Sequence, residues 1–100
     1  MTAHNLITLT VSPSIEEALV DWLLGLETTR GFTSFPVHGH SSQLQGLSLA
    51  EQVAGRKKQV RFQIHLPERE TAEFIARLQQ DFQGTGLHYW ISPVTESGHL

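Results

Sequence analysis

The chain has no cysteine, which excludes a disulfide framework, a thiolate nucleophile and a Cys-type zinc site. Packing alone must hold the fold, and the cysteine-free composition fits the cytoplasm. Long hydrophobic runs are also missing. The opening MTAHNLITLTVSPSIEE has no basic start and no apolar stretch of membrane-spanning length, so neither a signal peptide nor membrane insertion is expected. Positive charge is scarce as well. Seven Lys+Arg against ten Asp+Glu leave a formal net charge of -3, which argues against nucleic acid as a partner.

Histidine, by contrast, is abundant. Six imidazoles, each with an ordinary pKa of about 6.5, would carry the formal charge from -3 to +3 on full protonation. The 100 residues, 39% of them hydrophobic, describe one domain over 1–100, since a chain of this length buries roughly two thirds of its unfolded surface.

The hydrophobic pattern orders the elements. HNLITLTV, residues 4–11, alternates as a strand with Ile7, Leu9 and Val11 on one face. SPSIEEALVDWLLG reads as a helix, with Ser12 as cap, Pro13 in the first turn, and Ile15, Ala18, Leu19, Trp22, Leu23 and Leu26 on one stripe. After a break over 27–31, FTSFPVHGH is a strand whose Pro36 cannot donate to a ladder and belongs at a sheet edge. Residues 39–58 show no strand alternation and read as a long functional loop, with Ser48 and Glu51 as a capping box inside it. QVRFQIHLP is a third strand with Val60, Phe62, Ile64 and Leu66 inward. PERETAEFIARLQQDFQG is a second helix stopping at Gly84, and GLHYWISPV a last strand.

The order βαββαβ, with right-handed crossovers, predicts an α+β ferredoxin-like sandwich with strand order 4-1-3-2 and both helices on one side of the sheet. Leu6, Phe35 and Trp90 then face the uncovered side, and such a patch marks an interface, so a homo-oligomer is expected. With strands one and three running one way and strands two and four the other, His4, His38, His40 and His99 gather at the end that carries the long loop. His65 and His88 fall at the opposite end.

FTSFPVHGH, GLSLAEQVAGR and LHYWISPVTESG, set in this element order, resemble a small family of PII-like proteins encoded beside heavy-metal efflux pumps. The resemblance covers nearly the whole chain. It implies a trimer related to the PII signalling proteins and to CutA, with residues 39–58 standing where PII proteins carry the T-loop. It also implies a membrane efflux pump as a partner reached through that loop. The chain departs from PII proper in two places: the glycine-rich connection before the last strand is reduced to QGTG, Gln83 to Gly86, and the basic residues at the end of that strand are missing. Both departures argue against ATP binding of the PII type, and a loop without tyrosine excludes uridylylation there.

His38 and His40 form an H-x-H pair. Strand alternation places both side chains on one side, about 6.5 to 7 Å apart at the backbone, and neutral imidazoles suit Zn, Cu, Co or Ni. His4 and His99, expected at the same end, complete a candidate metal set. Alternatively, Gly39, Gly46 and Gly55 with Arg56, Lys57, Lys58 and Arg61 cradle an anion, with Arg56 and Lys58 at the phosphates of an adenine nucleotide between subunits. Ser41 and Ser42 merely follow His40 in sequence, which is no triad, and an enzyme is not expected. The expected function is a PII-like sensor of a transition-metal ion that signals through its long loop to heavy-metal efflux. The alternative is a nucleotide-responsive regulator.

Overall fold

The structure, a computed structural model, describes residues 3–26, 31–40 and 56–100. Strand β1 (His4–Val11) leads through a 3-10 turn (Pro13–Ile15) into helix α1 (Glu16–Leu24). Strands β2 (Phe32–His40) and β3 (Arg56–Pro67) follow, then helix α2 (Glu68–Asp81) and strand β4 (His88–Val94). The four strands form one antiparallel sheet in the order β2-β3-β1-β4, the ferredoxin-like arrangement that the element order predicts. Pro36 sits on β2, an edge strand, where a missing donor leaves no ladder bond unmade.

Alternation decides the two faces. Ile7, Leu9 and Val11 oppose Ile64, Phe62 and Val60 across β1 and β3. These side chains meet Leu19 and Leu23 of α1 and Phe74 and Leu78 of α2 in one core. Trp22 joins the helices: its ring lies edge-on to Phe74 and Phe82 at 5.5 and 5.4 Å, and its Nε1 donates to Asp81 Oδ2 at 2.7 Å. Ala18, expected on the stripe of α1, is exposed. Ser12 makes no side-chain cap to the backbone either; its hydroxyl pairs with that of Ser14, and the 3-10 turn opens the helical segment instead.

No loop separates β3 from α2. Glu68, the first residue of α2, donates its backbone N–H to the Ala3 carbonyl at 2.8 Å, so one orphan donor of the helix start is satisfied by the chain just before β1. Beside it, Asn5 Nδ2 donates to Thr71 Oγ1, which in turn donates to the Pro67 carbonyl. Thr71 is buried. Replacing Thr71 by Val leaves the Asn5 amide without its acceptor and is expected to destabilise the domain by about 1–2 kcal/mol. Urea unfolding measures this, and an unchanged midpoint would show that the bond contributes nothing.

Two sequence expectations need correction. The long loop is shorter than 39–58, because Gly39 and His40 complete β2 while Arg56, Lys57 and Lys58 open β3. The capping box at Ser48 and Glu51 and most of the break after α1 lie outside the described residues. Strand direction also differs. β3 is antiparallel to both β1 and β2, so strands one and two share a direction, and strands three and four run opposite to them. The physical reason is the crossover itself: α1 carries the chain back over the sheet, making β2 parallel to β1 with β3 between them.

Candidate functional site

The corrected directions redistribute the histidines. His4 opposes Pro67 on β3, whereas His38 opposes Lys58 on the same strand. Nine residues of extended chain, about 30 Å, therefore separate them. His99 follows β4, whose last residue, Val94, opposes His4. The expected set of His4, His38, His40 and His99 does not gather at one end of the sheet. Among the described residues, no three His, Asp or Glu side chains come together as a metal site.

His38 and His40 do share a face, as their spacing predicts. Their cross-strand neighbours on that face are Lys58 and Arg56, since directly opposed residues of an antiparallel pair point the same way. All four belong to a ribbon that projects beyond β1, whose last residue opposes Val60. His38, His40, Arg56 and Lys58 are exposed there. The two imidazoles are ligands that a metal ion could use, but the Arg56 and Lys58 side chains on the same face each oppose a further cation. A divalent ion about 6 Å from a fixed unit charge is opposed by about 1–2 kcal/mol even in water-like surroundings. An anion is favoured by the same charges.

Gly39, between the two histidines, keeps ordinary strand geometry and is not among the positive-φ residues. Its role is space. A Cβ built there would lie 2.6 Å from Gln59 Oε1, so the Gln59 side chain occupies the room beside Gly39 on the opposite face of the ribbon.

A second feature lies at the same end of the sheet but at the other edge. The connection from α2 to β4 turns through Gly84 (φ 82°) and Gly86 (φ 81°), a backbone region that side chains resist. It borders an open pocket of about 460 Å³ lined by Leu78, Gln79, Phe82 and Tyr89 among others, with no charged side chain in its wall among the described residues. Gln79 Nε2 donates to the Tyr89 hydroxyl at 2.8 Å and ties the wall to β4.

The uncovered sheet face carries Phe35, Arg61, His88 and Trp90; Phe35 and Trp90 are exposed, as expected, and so is His88. Arg61 was not anticipated in this role. Its Nε donates to Thr10 Oγ1 at 3.1 Å and its guanidinium lies 5.0 Å above the Trp90 ring. His88 stacks edge-on against the same indole at 5.3 Å. Thr8 and Thr10 are thereby buried on a face that neither α1 nor α2 covers. The pairing of Thr10 with both Arg61 and His88 is set by register, which β-alternation alone does not supply.

At the far end of this face, His4 and His65 place their rings 4.7 Å apart. Sequence reasoning separated them through its strand directions; applying the parallel β1–β2 relation of a βαβ crossover would have joined them.

Comparison with known proteins agrees with this architecture. A DUF3240 protein from Shewanella baltica OS155 has a crystal structure that superposes with a TM-score of 0.79 at 25% identity, covering 100% of this chain and 99% of that one. CPII, a nitrogen regulatory PII-like protein from Thiomonas intermedia K12 solved with ADP, AMP and bicarbonate, superposes at 0.70 with 13% identity over 98% of this chain and 97% of that one. The periplasmic divalent cation tolerance protein CutA from Archaeoglobus fulgidus gives 0.68 and 15% over 94% and 86%. These last two show a shared fold. No curated protein matches the sequence. The profile described as protein of unknown function (DUF3240) matches residues 1–100, and the chain therefore belongs to the DUF3240 family, on the fold shared by PII-like proteins and CutA.

Proposed function

We propose that this protein is a PII-like regulator that binds a small anionic ligand at the stem of its long connection and reports occupancy through residues 41–55. The observation that carries this reading is the alignment of His38 with Lys58 and His40 with Arg56 on one face of the projecting ribbon. An anion that bridges β2 and β3 there ties together the two strands from which the connection departs. The similarity in fold to PII-like signalling proteins supports a regulatory role.

An adenine nucleotide is the anion that this arrangement suits. The uncharged pocket at Gly84 and Gly86 offers a place for a base, and Arg56 and Lys58 offer charge for phosphates. The pocket borders β4 and the ribbon contains β2, the two opposite edges of the sheet. One nucleotide can use both only across a boundary between subunits, which makes the reading one of a homo-oligomer, with a trimer as the form implied by the family resemblance. A heavy-metal efflux pump remains the partner that this resemblance suggests for the connection, and the cytoplasm the compartment.

Titration calorimetry with ADP, AMP and inorganic phosphate tests the proposal. Wild-type protein is expected to bind ADP more tightly than phosphate, and Arg56→Ala/Lys58→Ala to lose at least about 100-fold in affinity, because two charge-assisted hydrogen bonds contribute about 1.5–3 kcal/mol each. Equal binding by both proteins, or no heat with any of the three, would overturn it. The metal reading of the H-x-H pair is tested alongside: a Zn or Ni response lost in His38→Ala/His40→Ala, with no response to anions, would establish the pair as a metal site instead.

A further inference from the structure

We infer that a transition-metal site lies at the pair His4 and His65, at the end of the sheet opposite the long connection. Three observations carry it. The first is spacing. With metal–nitrogen bonds of about 2.0–2.1 Å and an angle of about 90–110° at the ion, two imidazoles on one ion hold their centres roughly 4.5–5.2 Å apart. The rings of His4 and His65 stand 4.7 Å apart, tilted by 42°. The pair needs no rearrangement of the sheet to meet that range, because it is built on the diagonal between His4, opposite Pro67, and His65, opposite Leu6.

The second observation is an unsatisfied donor atom. His4 Nδ1 is buried and has no hydrogen-bond partner, the one such side-chain nitrogen or oxygen among the described residues. A buried polar atom without a partner is a cost that native folds rarely carry without use. A lone pair on that imidazole is satisfied as well by a Lewis acid as by a proton donor. His65 is exposed, so one of the two imidazoles stands open to solvent.

The third is charge. The register partners of the pair are Pro67 and Val94 for His4, and Leu6 for His65. None carries a positive charge, whereas the partners of His38 and His40 are Lys58 and Arg56. Of the two histidine pairs on the sheet, His4 and His65 is therefore the one where a divalent cation meets no cross-strand cation. Neutral imidazoles and no thiolate select Zn, Cu, Ni or Co over Mg or Ca. With two protein ligands, water fills the remaining positions.

This inference is independent of the anion reading, since it concerns other residues and another end of the sheet. The test uses Zn for calorimetry and Cu(II) for electron paramagnetic resonance on the full chain. Wild-type protein is expected to bind one ion per chain, with hyperfine structure from coordinated nitrogen in the copper spectrum. His65→Ala, at an exposed position that should fold normally, and His4→Gln are each expected to weaken Zn binding at least tenfold and to change the copper spectrum. His38→Ala/His40→Ala is expected to leave both unchanged. Circular dichroism checks that each variant is folded, and His65→Ala decides the matter if His4→Gln is not. Undiminished Zn affinity in His65→Ala, loss of binding only in His38→Ala/His40→Ala, or no binding by wild type would each overturn the inference.

Discussion

Replacing Phe62 by Ala is expected to lower the unfolding free energy by about 3–5 kcal/mol, a large share of the roughly 5–15 kcal/mol that holds a domain together. Phe62 is 0% exposed. It sits on β3, opposite Leu9 on one side and Ser34 on the other, with the Phe32 ring at 6.0 Å. Flanked on both sides by strands, the position has little freedom to collapse, so the truncation leaves most of the ring's volume as a cavity. In a chain of this size each kcal/mol moves the melting temperature by about 4–8 °C, so a drop of at least about 12 °C is expected. Phe62→Leu, which keeps most of the volume, should cost much less. Thermal and urea unfolding at matched protein concentration distinguish the outcomes, and equal losses for Leu and Ala would show that the ring, not the volume, is what the core needs.

The second large effect concerns assembly. If the proposed homo-oligomer forms through the uncovered face, Phe35→Glu/Trp90→Glu is expected to yield a monomer without unfolding the chain. Both side chains lie on the uncovered face and are more than a third exposed in the single chain, at 38% and 37%. A face that combines Phe35, Trp90, an arginine stacked on the indole and two buried threonines has residue types that interface cores favour, aromatic side chains and arginine. Placing two carboxylates there buries unpaired charge in any assembly formed through the face, which strongly opposes association. In the free chain both positions are wet, so the fold should survive. Sedimentation equilibrium and circular dichroism together read this out. A variant that remains oligomeric would show that the contact lies elsewhere, and a wild type that is already monomeric would remove the basis for a nucleotide site shared between subunits.

Much of the candidate site was legible from spacing. The two-residue repeat in FTSFPVHGH put His38 and His40 on one side, and a strand does present them so, because alternation is a property of the extended backbone itself. Pro36 pointed to an edge for an equally local reason, its missing N–H. Arg56 and Lys58 were picked out as cations near the loop, but not as the cross-strand neighbours of the histidines. That relation depends on which residue of β3 faces which of β2, a register that alternation within either strand does not specify. The His4 and His65 pair was missed for a related reason: an error in strand direction moves one end of a strand to the other end of the sheet, a displacement of about 30 Å for nine residues.

Local chemistry thus decided the kinds of element, their order, the inward stripes of β3 and α2, and the exclusion of thiol chemistry, since each follows from neighbouring residues or from composition. Tertiary structure alone decided which histidines are neighbours, which of them stand beside cations, and that Arg61 covers Thr10 and Trp90. The reason is physical: hydrophobic periodicity specifies which face of a strand is buried, whereas the pairing of residues far apart in the chain is set by crossover handedness and by the packing of both helices on one sheet.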